Sequence, residues 1–133
     1  MKKWDNYFSS IAEATAQLSY ATKLKVGAVA VSNRRIICQG YNGTPSGLSN
    51  ICEIDGKTLP SVLHAEENLI LFAAKKGIKL EDTTLYITHA PCINCARMIY
   101  GAGFKDVYFK DFYKSDEGIA FLISVNINIR KLT

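Results

Sequence analysis

The segment His64-Ala65-Glu66, answered further along the chain by Pro91-Cys92-Ile93-Asn94-Cys95, constrains this chain more than any other feature. These residues work together only if the fold brings two distant turns side by side. A structural zinc takes four protein ligands, whereas a catalytic zinc takes three and keeps its fourth position for water. His64, Cys92 and Cys95 supply three. Glu66 lies two residues beyond His64, too far round a helix to share the metal with it but in the same turn, where a carboxylate can shuttle a proton. An imidazole and two thiolates on zinc lower the pKa of a bound water to about 7. The pattern points to hydrolytic chemistry at neutral pH.

Hydrophobic periodicity places these residues on elements. Apolar residues recur at helical spacing from Trp4 to Tyr20, with Asp5 near the start. Residues 26–31 and 35–41 are β-branched runs separated by Ser32-Asn33-Arg34, which predicts a hairpin. Residues 42–60, rich in Gly, Ser, Asn and Pro, read as a long loop of the kind that usually carries function. A helix is expected over 62–76, ending at Gly77, with His64 and Glu66 in its first turn. A strand follows over 84–88. A second helix over 92–100 is opened by Pro91 and closed by Gly101 and Gly103, which sets Cys92 and Cys95 one turn apart on one face. Both helix N-termini would favour thiolates and any oxyanion through their partial positive charge. A strand over 106–109, a helix over 116–124 and a terminal strand over 126–132 complete the chain. Strands alternating with helices imply an α/β fold, a three-layer α/β/α sandwich with a mixed central sheet. One domain spanning 1–133 is expected.

The rest of the composition narrows the setting. No apolar stretch is long enough to span a bilayer, and the first residues do not read as a signal peptide, so a cytoplasmic protein without membrane association is the expectation. The four cysteines then read as reduced thiols and metal donors in place of disulfides. The net charge of +4 is spread without a basic run or an aromatic-basic path, so no nucleic acid is expected as partner, and the positive field suits a small phosphorylated substrate equally well.

Two other readings of the motif stand beside the catalytic one. A Cys-x-x-Cys pair by itself is often a zinc knuckle or a redox pair. A four-ligand structural site would need Cys38, Cys52 or His89 as its fourth donor; Cys38, inside a β run, reads as a core residue.

The His-x-Glu and Pro-Cys-x-x-Cys combination is the signature of zinc nucleobase deaminases. With Val26-Gly27-Ala28-Val29, Gly40-Tyr41-Asn42-Gly43-Thr44-Pro45-Ser46-Gly47, His64-Ala65-Glu66-Glu67-Asn68, Thr88-His89-Ala90-Pro91 and Asp111-Phe112-Tyr113-Lys114-Ser115-Asp116, the chain is identified as a member of the zinc-dependent cytidine and deoxycytidylate deaminase superfamily. It most resembles the deoxycytidylate (dCMP) deaminases, for which the Gly-Tyr-Asn-Gly-x-Pro-x-Gly segment is the most typical element. The resemblance implies hydrolysis of dCMP to dUMP and ammonia, supplying dUMP for thymidylate synthesis. It implies one catalytic zinc on His64, Cys92 and Cys95, Glu66 as proton shuttle, Asn42 at the sugar, and the Ala65 amide and Ala90 carbonyl at the base. Lys25 is proposed for the phosphate and Tyr113 for the pocket wall, although one reads equally as a solvated lysine and the other as a tyrosine at the edge of the core. The resemblance also implies a homo-oligomer, commonly a hexamer, activated by dCTP with magnesium and inhibited by dTTP, with Gly43 and Gly47 at the effector site. Val62 and Leu63 stand where some relatives carry ligands for a second, structural zinc. Alternatives are a deaminase of another cytosine- or purine-type base or nucleotide, and a non-catalytic, zinc-stabilised nucleotide-binding module.

Overall fold

A computed structural model describes residues 2–133. The elements are α1 (Lys2–Ala16), β1 (Gly27–Ser32), β2 (Arg35–Tyr41), β3 (Glu53–Ile54), β4 (Lys57–Thr58), α2 (Ala65–Lys76), β5 (Thr84–His89), α3 (Ile93–Ala102), β6 (Asp106–Asp111), α4 (Glu117–Ser124) and β7 (Asn128–Lys131). Five strands form one sheet in the order β2-β1-β5-β6-β7. The β2-β1-β5 half is antiparallel and the β5-β6-β7 half is parallel, so the sheet is mixed.

Period-two alternation along the central strands divides the core in two. Val29, Val31 and Tyr86 face α1, where Phe8 and Ala12 cover them. Ala28, Ala30, Leu85, Ile87 and Val107 face the opposite way, onto Leu69 of α2, Ile99 of α3 and Leu122 of α4. The expected α/β/α layering is the observed one: α1 on one face and α2, α3 and α4 on the other. Each residue of β1 from Gly27 to Val31 is buried, as a strand covered on both faces requires.

Strand directions decide where a site can form. Gly27 pairs with Tyr41 and Ala28 with Ile87, while His89 pairs with Asp111. The start of β1 and the ends of β2, β5 and β6 therefore share one edge of the sheet. The helices that follow β2, β5 and β6 all begin at that edge, where the pairing changes from antiparallel to parallel around β5. Open α/β sheets bind ligands in such crevices at the carboxyl ends of strands.

Several boundaries differ from expectation, each for a local reason. Helix α1 ends at Ala16, before Tyr20, because Ser19 bonds elsewhere: its Oγ donates to Asn42 O (2.7 Å) and accepts from Ala21 N (3.1 Å). Helix α2 starts at Ala65, not Val62. Leu63 is held extended by paired backbone bonds with Gly43 (3.0 and 2.8 Å), so helical dihedrals begin only after His64. The hairpin turn uses Asn33 and Arg34, both left-handed (φ 50° and 61°), as a two-residue loop between twisted strands demands. A second small hairpin, β3–β4, lies unforeseen inside the 42–60 loop, and Asp55 and Gly56 at its turn have the same handedness. Pro91 precedes the N-cap of α3 in place of occupying its first turn, and Gly101 lies within that helix, which Gly103 closes.

Candidate active site

Two helix starts meet at the sheet edge and present the three expected donors. His64 is the N-cap of α2, in extended conformation, and its backbone N–H donates to Glu67 Oε1 (2.8 Å), which fixes the turn. Cys92 is the N-cap of α3, and its sulfur accepts from the Cys95 amide (3.5 Å). His64 Nδ1 lies 3.5 Å from Cys92 Sγ and 3.3 Å from Cys95 Sγ. All three donor atoms fall within 4.8 Å of one another. A tetrahedral zinc with sulfur and nitrogen ligands spaces its donors about 3.3–3.8 Å apart, and both distances from His64 Nδ1 to sulfur fall in that range.

Burial is graded across the group. Cys95 is buried, Cys92 half-buried and His64 exposed. The side nearest His64 therefore faces a cleft, which suits a site whose remaining position is to be filled from solution. Among the described residues, neither His89 nor Cys52 joins the cluster. Cys52 is buried and donates to Asn50 O, while Cys38 donates to Leu69 O in the core.

Protonation follows from these contacts. Hydrogen bonds from Cys95 and His64 hold the Cys92 thiol down to about 3. The bond to Cys92 lifts His64 to about 9 against the opposing effect of burial. The bond to Cys92, together with burial, pushes Cys95 up. One thiolate thus gathers protons from two neighbours, an arrangement that a divalent cation replaces when it takes their place. Glu66, in the first turn of α2, is only 4% exposed, and burial above all raises its carboxyl to about 7. A carboxyl at that value accepts and returns protons at neutral pH.

The cleft in front of these groups has a volume of about 340 Å³. His64, Ala65, Glu66 and Ala90 line its floor, and Lys23, Glu53 and Lys114 join Tyr113 among its walls. Ala65 opens α2, where the first backbone N–H groups have no partner within the helix. Tyr113 meets His89 edge-on at 6.3 Å, with Lys114 Nζ 5.5 Å from its ring centre. Asn42 lines the cleft, and its side chain ties the β2 end to the segment before β1: Oδ1 accepts from Val26 N (2.8 Å) and Nδ2 donates to Leu24 O (2.8 Å). Lys25 is the expected residue that the structure leaves outside. It is exposed and does not line the cleft, whereas Lys23, two residues earlier, does.

Gly43 and Gly47 lie at a second, wider cleft of about 610 Å³, beside Thr44, Ser46, Asn68 and Lys75. Asn68 is no idle surface residue, since its Nδ2 donates to Tyr41 O (2.8 Å) and Gly43 O (3.4 Å). Sequence reasoning missed Lys23, Glu53 and Lys114, and it weighed His89 only as a metal donor. His89 and Lys114 had a signal, standing beside Ala90 and Tyr113. Glu53 had none, because its carboxylate reaches the cleft through the unforeseen β3–β4 hairpin, accepting from Thr22 N (3.1 Å), Thr22 Oγ1 (3.1 Å) and Lys23 N (3.3 Å).

The sequence and the fold match known proteins. Residues 2–111 match the family model for the cytidine and deoxycytidylate deaminase zinc-binding region. ComE operon protein 2 of Bacillus subtilis is 35% identical over 116 residues, covering 84% of this chain and 61% of that protein. The deoxycytidylate deaminase of Saccharomyces cerevisiae is 34% identical over 141 residues, covering 98% of this chain and 45% of the yeast protein. The chain thus spans 61% and 45% of these relatives' own lengths. A crystal structure of the dCMP deaminase from cyanophage S-TIM5 in complex with dCMP and dUMP superposes with a TM-score of 0.94 at 38% identity, covering 98% of this chain and 97% of that one. With its donor triad, buried carboxylate and mixed sheet, this chain belongs to the cytidine and deoxycytidylate deaminase family.

Proposed function

We propose that this chain hydrolyses dCMP to dUMP and ammonia, with zinc held by His64, Cys92 and Cys95. The observation that carries the reading is a buried carboxylate, Glu66, set in the floor of a cleft beside three metal donors. A purely structural site has no use for that carboxylate and takes a fourth protein ligand. The dCMP and dUMP bound by the cyanophage relative support the choice of substrate.

Zinc, when bound, supplies a Lewis acid that makes water a nucleophile at neutral pH. The chain's own residues do the rest. Water adds to C4 of the cytosine ring, and Glu66 takes the proton it sheds and passes it to N3. The new C4 hydroxyl gives its remaining proton to the same carboxyl, which delivers it to the exocyclic nitrogen. The C4–N bond then breaks with its electron pair on nitrogen, ammonia leaves and the C4 carbonyl remains. The Ala65 amide would donate to the ring carbonyl, and the Ala90 carbonyl would accept from the amine. Asn42 would face the sugar from the cleft wall. Lys23 and Lys114 bring positive charge to the same cleft, where a 5′-phosphate gains from it. Lys25 is poorly placed for that task.

The second cleft, with Gly43 and Gly47, is the place we assign to dCTP with magnesium as activator and dTTP as inhibitor, in a homo-oligomer. Backbone amides of a glycine-rich loop suit phosphates. Gly43 N–H is already bonded to Leu63 O, so Gly47 and the side chains around it would carry more of that role.

Ammonia release from dCMP, deoxycytidine, CMP and dCTP, measured on zinc-loaded protein with and without dCTP-magnesium or dTTP, tests the reading. Preferential turnover of dCMP is expected, with deoxycytidine the poorest substrate because it lacks the phosphate. Equal turnover of deoxycytidine and dCMP would remove the phosphate from the account. No turnover of any of them would remove the reaction.

A further inference from the structure

The three donors can meet one ion only if the two turns that carry them hold their backbones to within a few tenths of an ångström, since metal–ligand distances tolerate about ±0.2 Å. Here each turn rests on a glycine of a neighbouring element. Behind the α3 turn is Gly118, the second residue of α4. A Cβ there would lie 2.1 Å from Pro91 O, 2.9 Å from Cys92 O and 3.0 Å from the Cys92 carbonyl carbon. Behind the α2 turn is Gly40 of β2, where a Cβ would lie 2.6 Å from Ala65 O and 2.7 Å from Leu69 N. Five of these six neighbours are backbone atoms, which cannot swing aside as a side chain can; the sixth is Leu69 Cβ, 3.0 Å from a Cβ on Gly40.

We propose that Gly40 and Gly118 are positioning residues of the metal centre: their bare backbones let β2 and α4 approach the ligand-bearing turns more closely than any side chain permits, and so set where His64 and Cys92 present their donors. Gly118 acts on Cys92 directly, through the carbonyl it abuts. Gly40 acts through Ala65, the residue after His64. The proposal rests on the reading of His64, Cys92 and Cys95 as zinc ligands.

Two other glycines separate this role from general destabilisation. A Cβ at Gly101 meets nothing within 4 Å, although the residue lies in the same helix as Cys95. A Cβ at Gly27 would lie 2.1 Å from Ala12 O and 2.5 Å from Ala16 N, a clash of the same size against α1, on the far side of the sheet from the donors.

The test is zinc affinity, by competition with a chromophoric chelator, together with the thiolate-to-cobalt charge-transfer spectrum of the cobalt-substituted protein. Gly118→Ala and Gly40→Ala should weaken zinc binding about 10–100-fold, the range for loss of groups that orient metal ligands, and should alter the cobalt spectrum. Gly101→Ala should match wild type in both. Gly27→Ala should melt earlier yet keep wild-type affinity and spectrum. Wild-type affinity and spectrum in a folded Gly118→Ala protein would overturn the proposal, and so would an equal loss of zinc in Gly27→Ala. If the Ala variants do not fold, hydrogen exchange of the wild-type protein with and without chelator decides. Protection lost in 117–122 together with 92–96 on zinc removal supports the coupling, whereas loss confined to 92–96 overturns it. If His64→Ala leaves zinc affinity unchanged, the metal-centre reading itself fails, and the roles of Gly40 and Gly118 with it.

Discussion

The two clefts are built by different means. The floor of the narrower one is made of helix starts: His64, Ala65 and Glu66 open α2, and Cys92 to Cys95 open α3. Its geometry is local to two short segments, each fixed by backbone capping and by backbone packed on backbone. The wider one lies between β2, α2 and a strap of irregular chain, which is held by the Gly43–Leu63 bridge, by Asn68 on Tyr41 and Gly43, and by Thr44 Oγ1 on Ser49 O (2.7 Å). The first arrangement sets its groups on the first turns of two helices and suits chemistry that needs fixed distances. The second is held by bonds that can be broken one at a time, and suits a surface whose shape responds to what it binds.

Changes at the helix starts should therefore be severe and changes in the strap mild. The largest effect is expected from Cys95→Ala, which removes a buried donor and leaves two: zinc content and deamination should both vanish, and the melting temperature should no longer rise on adding zinc. Glu66→Gln comes next. It keeps the side chain's shape while removing the carboxylate we propose as proton carrier, so turnover should fall about 10²–10⁴-fold at unchanged zinc content, and near-normal turnover would break the assignment. Asn68→Ala loosens the strap at Tyr41 and Gly43 and should cost about 1 kcal/mol in urea unfolding, with zinc affinity as in wild type. If zinc were lost with it, the two clefts would not be separable. The smallest effect is expected from Glu53→Gln, which weakens the tie to Thr22 and Lys23 at the cleft wall: KM for a phosphorylated substrate should shift a few-fold in steady-state kinetics, with kcat unchanged.

The same contrast governs what could be read from sequence. His64, Glu66, Cys92 and Cys95 were legible because their spacing fixes their relation within one helical turn, and helix and strand periodicity then joins the two turns at one sheet edge. The layered α/β/α order was legible because strands alternate with helices along the chain, and near-continuous apolar runs such as β1 and β5 announce strands covered on both faces. What lay hidden depended on contacts between distant segments. The start of α2 shifts from Val62 to Ala65 because Gly43, far back in the chain, claims the backbone of Leu63. Lys23 lines the cleft and Lys25 does not, a distinction set in irregular chain by Asn42 pulling on Leu24 and Val26. Glu53 escaped notice because a hairpin of two-residue strands leaves almost no periodic trace. The glycines at positions 40 and 118 also looked ordinary, since a close backbone approach from another element has no local sign.

X-ray absorption at the zinc edge of the zinc-loaded protein tests the central claim most directly, because it counts the atoms around the ion. The account predicts two sulfurs at about 2.3 Å and two lighter atoms at about 2.0–2.1 Å, one of them the imidazole nitrogen and the other exchangeable solvent. Three sulfurs, or two sulfurs with two imidazoles, would mean a closed structural site and would contradict it.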